Sequence, residues 1–110
     1  MILDQLKQQP ETLQFADVIN YIDTHYNFTP RAFKNGDVQN EENQNNGSCK
    51  IFSFAKLQNL SKEETLALFG DFYRKDVLEN PEREDHQNIR NFMIHGWDGI
   101  EFSASALSTK

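Results

Sequence analysis

Cysteine is nearly missing from this chain: Cys49 is the single example among 110 residues. A lone thiol closes no internal disulfide, which agrees with a reducing compartment and leaves packing to hold the fold. Basic charge is also short. Eleven Lys and Arg against 17 Asp and Glu give a formal net charge of −6, and that field repels a phosphate backbone, so no nucleic-acid partner is expected. Long apolar runs are lacking too. No window approaches the roughly 18 to 20 apolar residues of a membrane span. Residues 1 to 9, with Asp4 and Lys7 among them, lack the apolar stretch of a secretory signal. The expected location is therefore cytoplasmic, with no membrane partner. There is no internal repeat, Gly-rich phosphate loop, G-x-S-x-G or CxxC, so no strong catalytic signature is present.

What is present is aromatic. Nine Phe, three Tyr and one Trp supply large apolar surfaces that fill a core with few side chains. A length of 110 residues suits a single domain, 1–110. Residues 1 to 9 read as a short helix stopped by Pro10. Phe15, Val18, Ile19, Ile22 and Tyr26 recur at helical spacing and predict a helix over 13–26. Thr29-Pro30 breaks that pattern, and Asn35-Gly36 is a hairpin dipeptide, so 28–38 reads as a strand pair. From 37 to 48 nearly every residue is amide or acid, which predicts a solvated loop. Residues 49 to 60 read as a helix with Ile51, Phe52, Phe54 and Ala55 on one side and Cys49, Ser53 and Lys56 on the other.

Ser61 and Glu64 form a capping box ahead of an apolar stripe, predicting a helix over 62–79. Gly70 inside it implies close approach by another element. Asn80-Pro81 ends that helix. Asp85 is the expected N-cap of a last helix, whose core side is Ile89, Phe92 and Met93 and whose stop is Gly96. Residues 97 to 102 partly alternate as a strand does, and 103–110 read as a frayed tail. The expected fold class is α+β, mainly helical with four or five helices, and a small two- or three-stranded sheet from 28–38 and 100–102. The expected core includes Phe15, Ile19, Ile22, Phe52, Leu66, Phe69, Tyr73, Ile89, Phe92 and Trp97.

Chemistry-bearing candidates centre on Gly47-Ser48-Cys49-Lys50. Placed at a helix start beside Lys50, the thiol would be favoured as thiolate, making Cys49 a candidate nucleophile. The same helix start, with Asn45, Asn46, Ser48 and Lys50, could hold a small anion such as a carboxylate or phosphate. The plainer reading is a buried cysteine packing as a small hydrophobe. His86 or His95 could serve Cys49 as base, with Asn88 or Asn91 orienting the ring. Asn88, Asn91 and His95 share one helix edge, where they could line a polar groove, with Asn88 and Asn91 as candidate ligand-binding residues, or form a structural hydrogen-bond network. His86 and His95 fall on opposite helix sides, which argues against a shared metal, and residues 37–42 lack the EF-hand pattern. Neither metal nor cofactor is expected.

Longer stretches carry a resemblance. Asn-Gly-Ser-Cys-Lys (46–50), Thr-Leu-Ala-Leu-Phe-Gly (65–70), Tyr-Arg-Lys-Asp-Val-Leu (73–78), Asp-His-Gln-Asn-Ile-Arg-Asn-Phe-Met (85–93) and His-Gly-Trp-Asp-Gly-Ile (95–100) together resemble the HopJ type III effector family of bacteria. The likeness also takes in Tyr26–Pro30 and Phe33–Gly36 and runs from about Phe15 to Phe102. It implies a type III secreted effector, delivered into a host cell to act on host proteins, and it supplies no catalytic residues. The leading reading is a non-enzymatic interaction or small-ligand-binding domain whose partner is a protein or small anionic ligand. The alternatives are a cysteine-dependent acyl transferase or hydrolase using Cys49, and a secreted effector.

Overall fold

The computed structural model describes residues 2–110. Met1, the start of the expected first helix, lies outside the described residues. The chain is α+β and mainly helical. Among the described residues there are five α-helices, α1 (Ile2–Gln8), α2 (Phe15–His25), α3 (Asn46–Leu57), α4 (Lys62–Ala67) and α5 (Gln87–His95). Five short strands, β1 (Tyr26–Phe28), β2 (Phe33–Asn35), β3 (Val38–Asn40), β4 (Ile100–Phe102) and β5 (Leu107–Thr109), make two antiparallel sheets. One has the order β3-β2-β4 and the other pairs β1 with β5.

The three-stranded sheet grows from the Asn35-Gly36 turn. Gly36 takes φ +58, the left-handed geometry that a tight hairpin asks of its turn residue. The turn then docks on α5: a Cβ at Gly36 would collide with His95 Cδ2. Opposite the hairpin, Phe33, Lys34 and Asn35 pair with Phe102, Glu101 and Ile100.

Helix α3 is the centre of the molecule. Cys49 and the run Ile51 to Ala55 are all buried, so this helix is covered nearly all round, beyond the one-sided apolar stripe its sequence suggests. Phe52 sits amid Phe33, Phe69, Phe92 and Trp97, with ring centroids 4.9 to 6.4 Å away. Of the expected core, Ile22, Phe52, Leu66, Phe69, Ile89 and Phe92 are buried, while Phe15, Ile19, Tyr73 and Trp97 are half-buried and pack against it.

Four expectations are corrected. The helix predicted over 62–79 breaks: α4 ends at Ala67, Gly70 turns to φ +63, and residues Phe72–Val77 form a π-helix. The close approach read from Gly70 is there, since a Cβ would lie 2.7 Å from the backbone nitrogen of Phe15. That same contact sets the break, and Arg74 reinforces it by donating to the carbonyls of Pro10 and Leu13. The solvated loop of 37–48 shrinks to residues 41–45, because β3 and the first turn of α3 claim its ends. Asp85 is not the N-cap of α5; His86 occupies that position at φ +51, while Asp85 accepts from Arg90 at 2.7 Å. The tail expected to fray over 103–110 instead supplies β5, with Ala106 and Leu107 buried.

Candidate functional site

Helices α3 and α5 begin side by side around one cavity of about 370 Å³. Phe15, Phe69 and Phe72 form its apolar wall, and Asn45, Ser48, His86, Gln87 and Asn88 are its polar lining residues. Among the described residues, none of those lining it carries a carboxylate, an unusual neighbourhood in a chain of net charge −6.

Both helices enter through non-glycine residues in the left-handed region: Asn45 has φ 52 and His86 has φ 51, and neither side chain caps its helix. The first-turn N–H groups at each start are thus left without the side-chain acceptor that usually satisfies one of them. Such backbone geometry costs free energy and persists only where surrounding contacts hold it. Those contacts are identifiable. The His86 ring stacks on Phe72, centroids 5.2 Å apart, and its Nε2 lies 3.1 Å from Asp76 Oδ2 on the π-helix. Asn45 Nδ2 donates to Asn40 Oδ1 at 2.6 Å. Gly47 lets α3 start close to Phe15, since a Cβ there would be 2.7 Å from the ring's Cζ.

Beneath the polar wall lies a buried amide network. Asn88 Oδ1 accepts from Asn35 and Asn40, both at 3.0 Å, and Asn88 Nδ2 donates back to Asn40 Oδ1 at 2.9 Å. Asn35 also donates to the backbone carbonyl of Asn88 at 2.7 Å. Asn91 continues the seam, accepting from the Asp37 backbone N–H and donating to the Gln87 carbonyl. These bonds lock the hairpin onto the start of α5 and hold Asn88 at the cavity.

The sequence candidates separate accordingly. Asn45, Ser48, His86 and Asn88 come together. Asn46 opens α3 but does not line the cavity, and Lys50 pairs with Asp23 at 2.8 Å over the Phe28 ring. His95 packs on the hairpin turn, its Nε2 at 3.9 Å from Asp37. Cys49 is fully buried in the fourth position of α3, and its thiol points to the Arg31 carbonyl at 3.8 Å. Burial raises the thiol pKa, outweighing the lowering by the Arg31 carbonyl contact, Ser53 and Lys50; the lowered value expected from a helix start is corrected. Asn35 and Asn40 were not among the candidates. Asn35 had a signal only as a turn residue, and Asn40 lay in what read as solvated loop.

An α+β domain with a polar, aromatic-walled cavity between two helix starts is the class of protein these features define. Residues 1–107 match the family described as HopJ type III effector protein, and the chain belongs to that family. It is also similar to the crystal structure of an unknown-function protein, VPA0580, with TM-score 0.97 and 57% identity over 98% of this chain and 90% of that one. No curated protein matches the chain. Among the described residues no helix is long and apolar enough to cross a membrane.

Proposed function

We propose that this protein is a non-catalytic binding domain that takes a small anionic ligand in the cavity between the starts of α3 and α5. The observation that carries the proposal is the convergence of Asn45, Ser48, His86 and Asn88 on that one cavity. Helix starts favour negative charge, and amide side chains together with an imidazole donate hydrogen bonds to it. The cavity volume falls within the range of small-molecule sites. Burial of Cys49 argues against a thiolate nucleophile at this place.

Titrating the full chain with phosphate, malonate and benzoate, followed by thermal unfolding and amide NMR shifts, tests the proposal. At least one should saturate, raise the unfolding temperature and shift residues 45–48 and 86–89. Val38→Trp, which fills the cavity, should abolish the response. If none of the three saturates at those residues, the proposal fails.

The family match supports a second reading, delivery into a host cell. Deleting the first 15 residues is a poor test, because Ile2, Leu6 and Leu13 are buried in the core. Fusing residues 1–15 to a reporter and assaying type III secretion tests the same idea without unfolding the domain; a reporter retained in the cell counts against it.

A further inference from the structure

A second cavity, of about 470 Å³, opens between the last turns of α3 and the segment joining β4 to β5. Leu57, Phe102, Ala104 and Ala106 make it apolar, and Lys56 is the one charged side chain lining it. Leu57 is 50% exposed at its mouth, and Phe102 is held by stacking on Phe33 with centroids 5.0 Å apart. Ser53 also lines it, only 7% exposed, and its hydroxyl has no hydrogen-bond partner. Cys49 lies one turn back, near enough for the hydroxyl to favour its thiolate form, yet no bond between them satisfies that oxygen. A buried hydroxyl left without a partner is an unfavourable element of a fold unless something else completes it.

Lys56 follows Ser53 at i+3, on the same side of α3. Lys50 and Lys75 are drawn into ion pairs with Asp23 and Asp71; among the described residues Lys56 is in none. One free ammonium thus stands at the edge of an apolar hollow, and one orphaned hydroxyl lies buried in its wall. A single cation matches a single negative charge, and apolar walls suit an alkyl chain better than a second charge.

We propose that this cavity binds a short-chain monocarboxylic acid, with its carboxylate between the Ser53 hydroxyl and the Lys56 ammonium and its alkyl chain against Leu57, Phe102, Ala104 and Ala106. The site is separate from the cavity between the starts of α3 and α5 and does not depend on it.

Amide NMR titration of the full chain with hexanoate and, in parallel, hexylammonium tests the assignment. Hexanoate should give saturable shifts at residues 53–57 and 102–106, and hexylammonium, repelled by Lys56, should not. Lys56→Gln should weaken hexanoate about tenfold, the loss expected for one ion pair. Ser53→Ala should also weaken it, yet keep or raise the unfolding midpoint, because an unpartnered buried hydroxyl is removed. No saturable shift by about 10 mM hexanoate, well above the affinity of a specific site, would overturn the proposal. So would equal binding of hexylammonium or an unchanged affinity in Lys56→Gln. A lowered midpoint in Ser53→Ala would show that the hydroxyl is satisfied within the fold, and would overturn it as well.

Discussion

Asn88 serves the buried amide network and the cavity with one side chain. It accepts from Asn35 and Asn40, donates back to Asn40, and faces the first cavity. Replacing it with Leu keeps the size but takes one acceptor from each of two buried amides, leaving Asn35 only the Asn88 carbonyl and Asn40 only the Phe33 carbonyl. Since each unsatisfied buried group costs about 1 to 3 kcal/mol, Asn88→Leu should lose roughly 3 kcal/mol by chemical denaturation; a loss under about 1 would show that water reaches the network. Gly70 gives a test in which two arguments have opposite signs. Helix propensity alone makes Gly70→Ala a gain of about 1 kcal/mol. The structure predicts a loss of about 2 kcal/mol or more, because φ is +63 and the new Cβ would press on the Phe15 backbone. The sign of the change in unfolding free energy decides between them.

Elements whose cause is local were readable in the chain. The apolar spacing of α2 and the Ser61–Glu64 capping box of α4 are short-range signals, and both bonds of the box are made. The Asn35-Gly36 turn likewise announced a hairpin and its first strand β2, but its second strand β3 runs through 38–40, which read as solvated loop. Elements whose cause is distant were not. Leu107-Ser108-Thr109 has one apolar residue and becomes a strand only because Phe28, Asn27 and Tyr26 lie across from it. The break near Gly70 depends on residues 13–15, far away in sequence. The candidate site shows the same division: Asn45, Ser48, His86 and Asn88 were each notable alone, but nothing local states that the starts of α3 and α5 are neighbours. Strand β5 can be weighed directly. Leu107 is 5% exposed and the Ala106 carbonyl accepts from the Thr29 N–H at 2.8 Å, so Leu107→Ala should cost about 2 to 3 kcal/mol. Ser108→Ala, on the exposed side of the same strand, should stay within about 0.5 kcal/mol. Equal effects in denaturant melts would mean that β5 is frayed in solution.

At the scale of the whole molecule, stability depends on how protons distribute between folded and unfolded chains. Cys49 enters that balance because it is the buried thiol near the start of α3, with its pKa raised by burial. A folded-state pKa above the unfolded value means that the unfolded chain gives up the proton first. The thiol's contribution is therefore fully present below the unfolded value, about 8.5, and is lost as pH rises from there toward the folded pKa. Asp85 works at the other end: Arg90 holds its carboxyl below the usual range, so its contribution is present at neutral pH and fades on acidification. Lysines and tyrosines also titrate in alkali, so the bare stability curve does not isolate the thiol. The difference between wild type and Cys49→Ala does. At pH 7 the variant should be less stable through the cavity it leaves. That deficit should shrink between about pH 8.5 and 10, at up to about 1.4 kcal/mol per pH unit, the limit for one proton. Denaturant melts across that interval measure it. A deficit constant with pH would mean that Cys49 ionises equally easily in both states, and a thiol that does so is open to solvent, which would return it to the list of candidate nucleophiles.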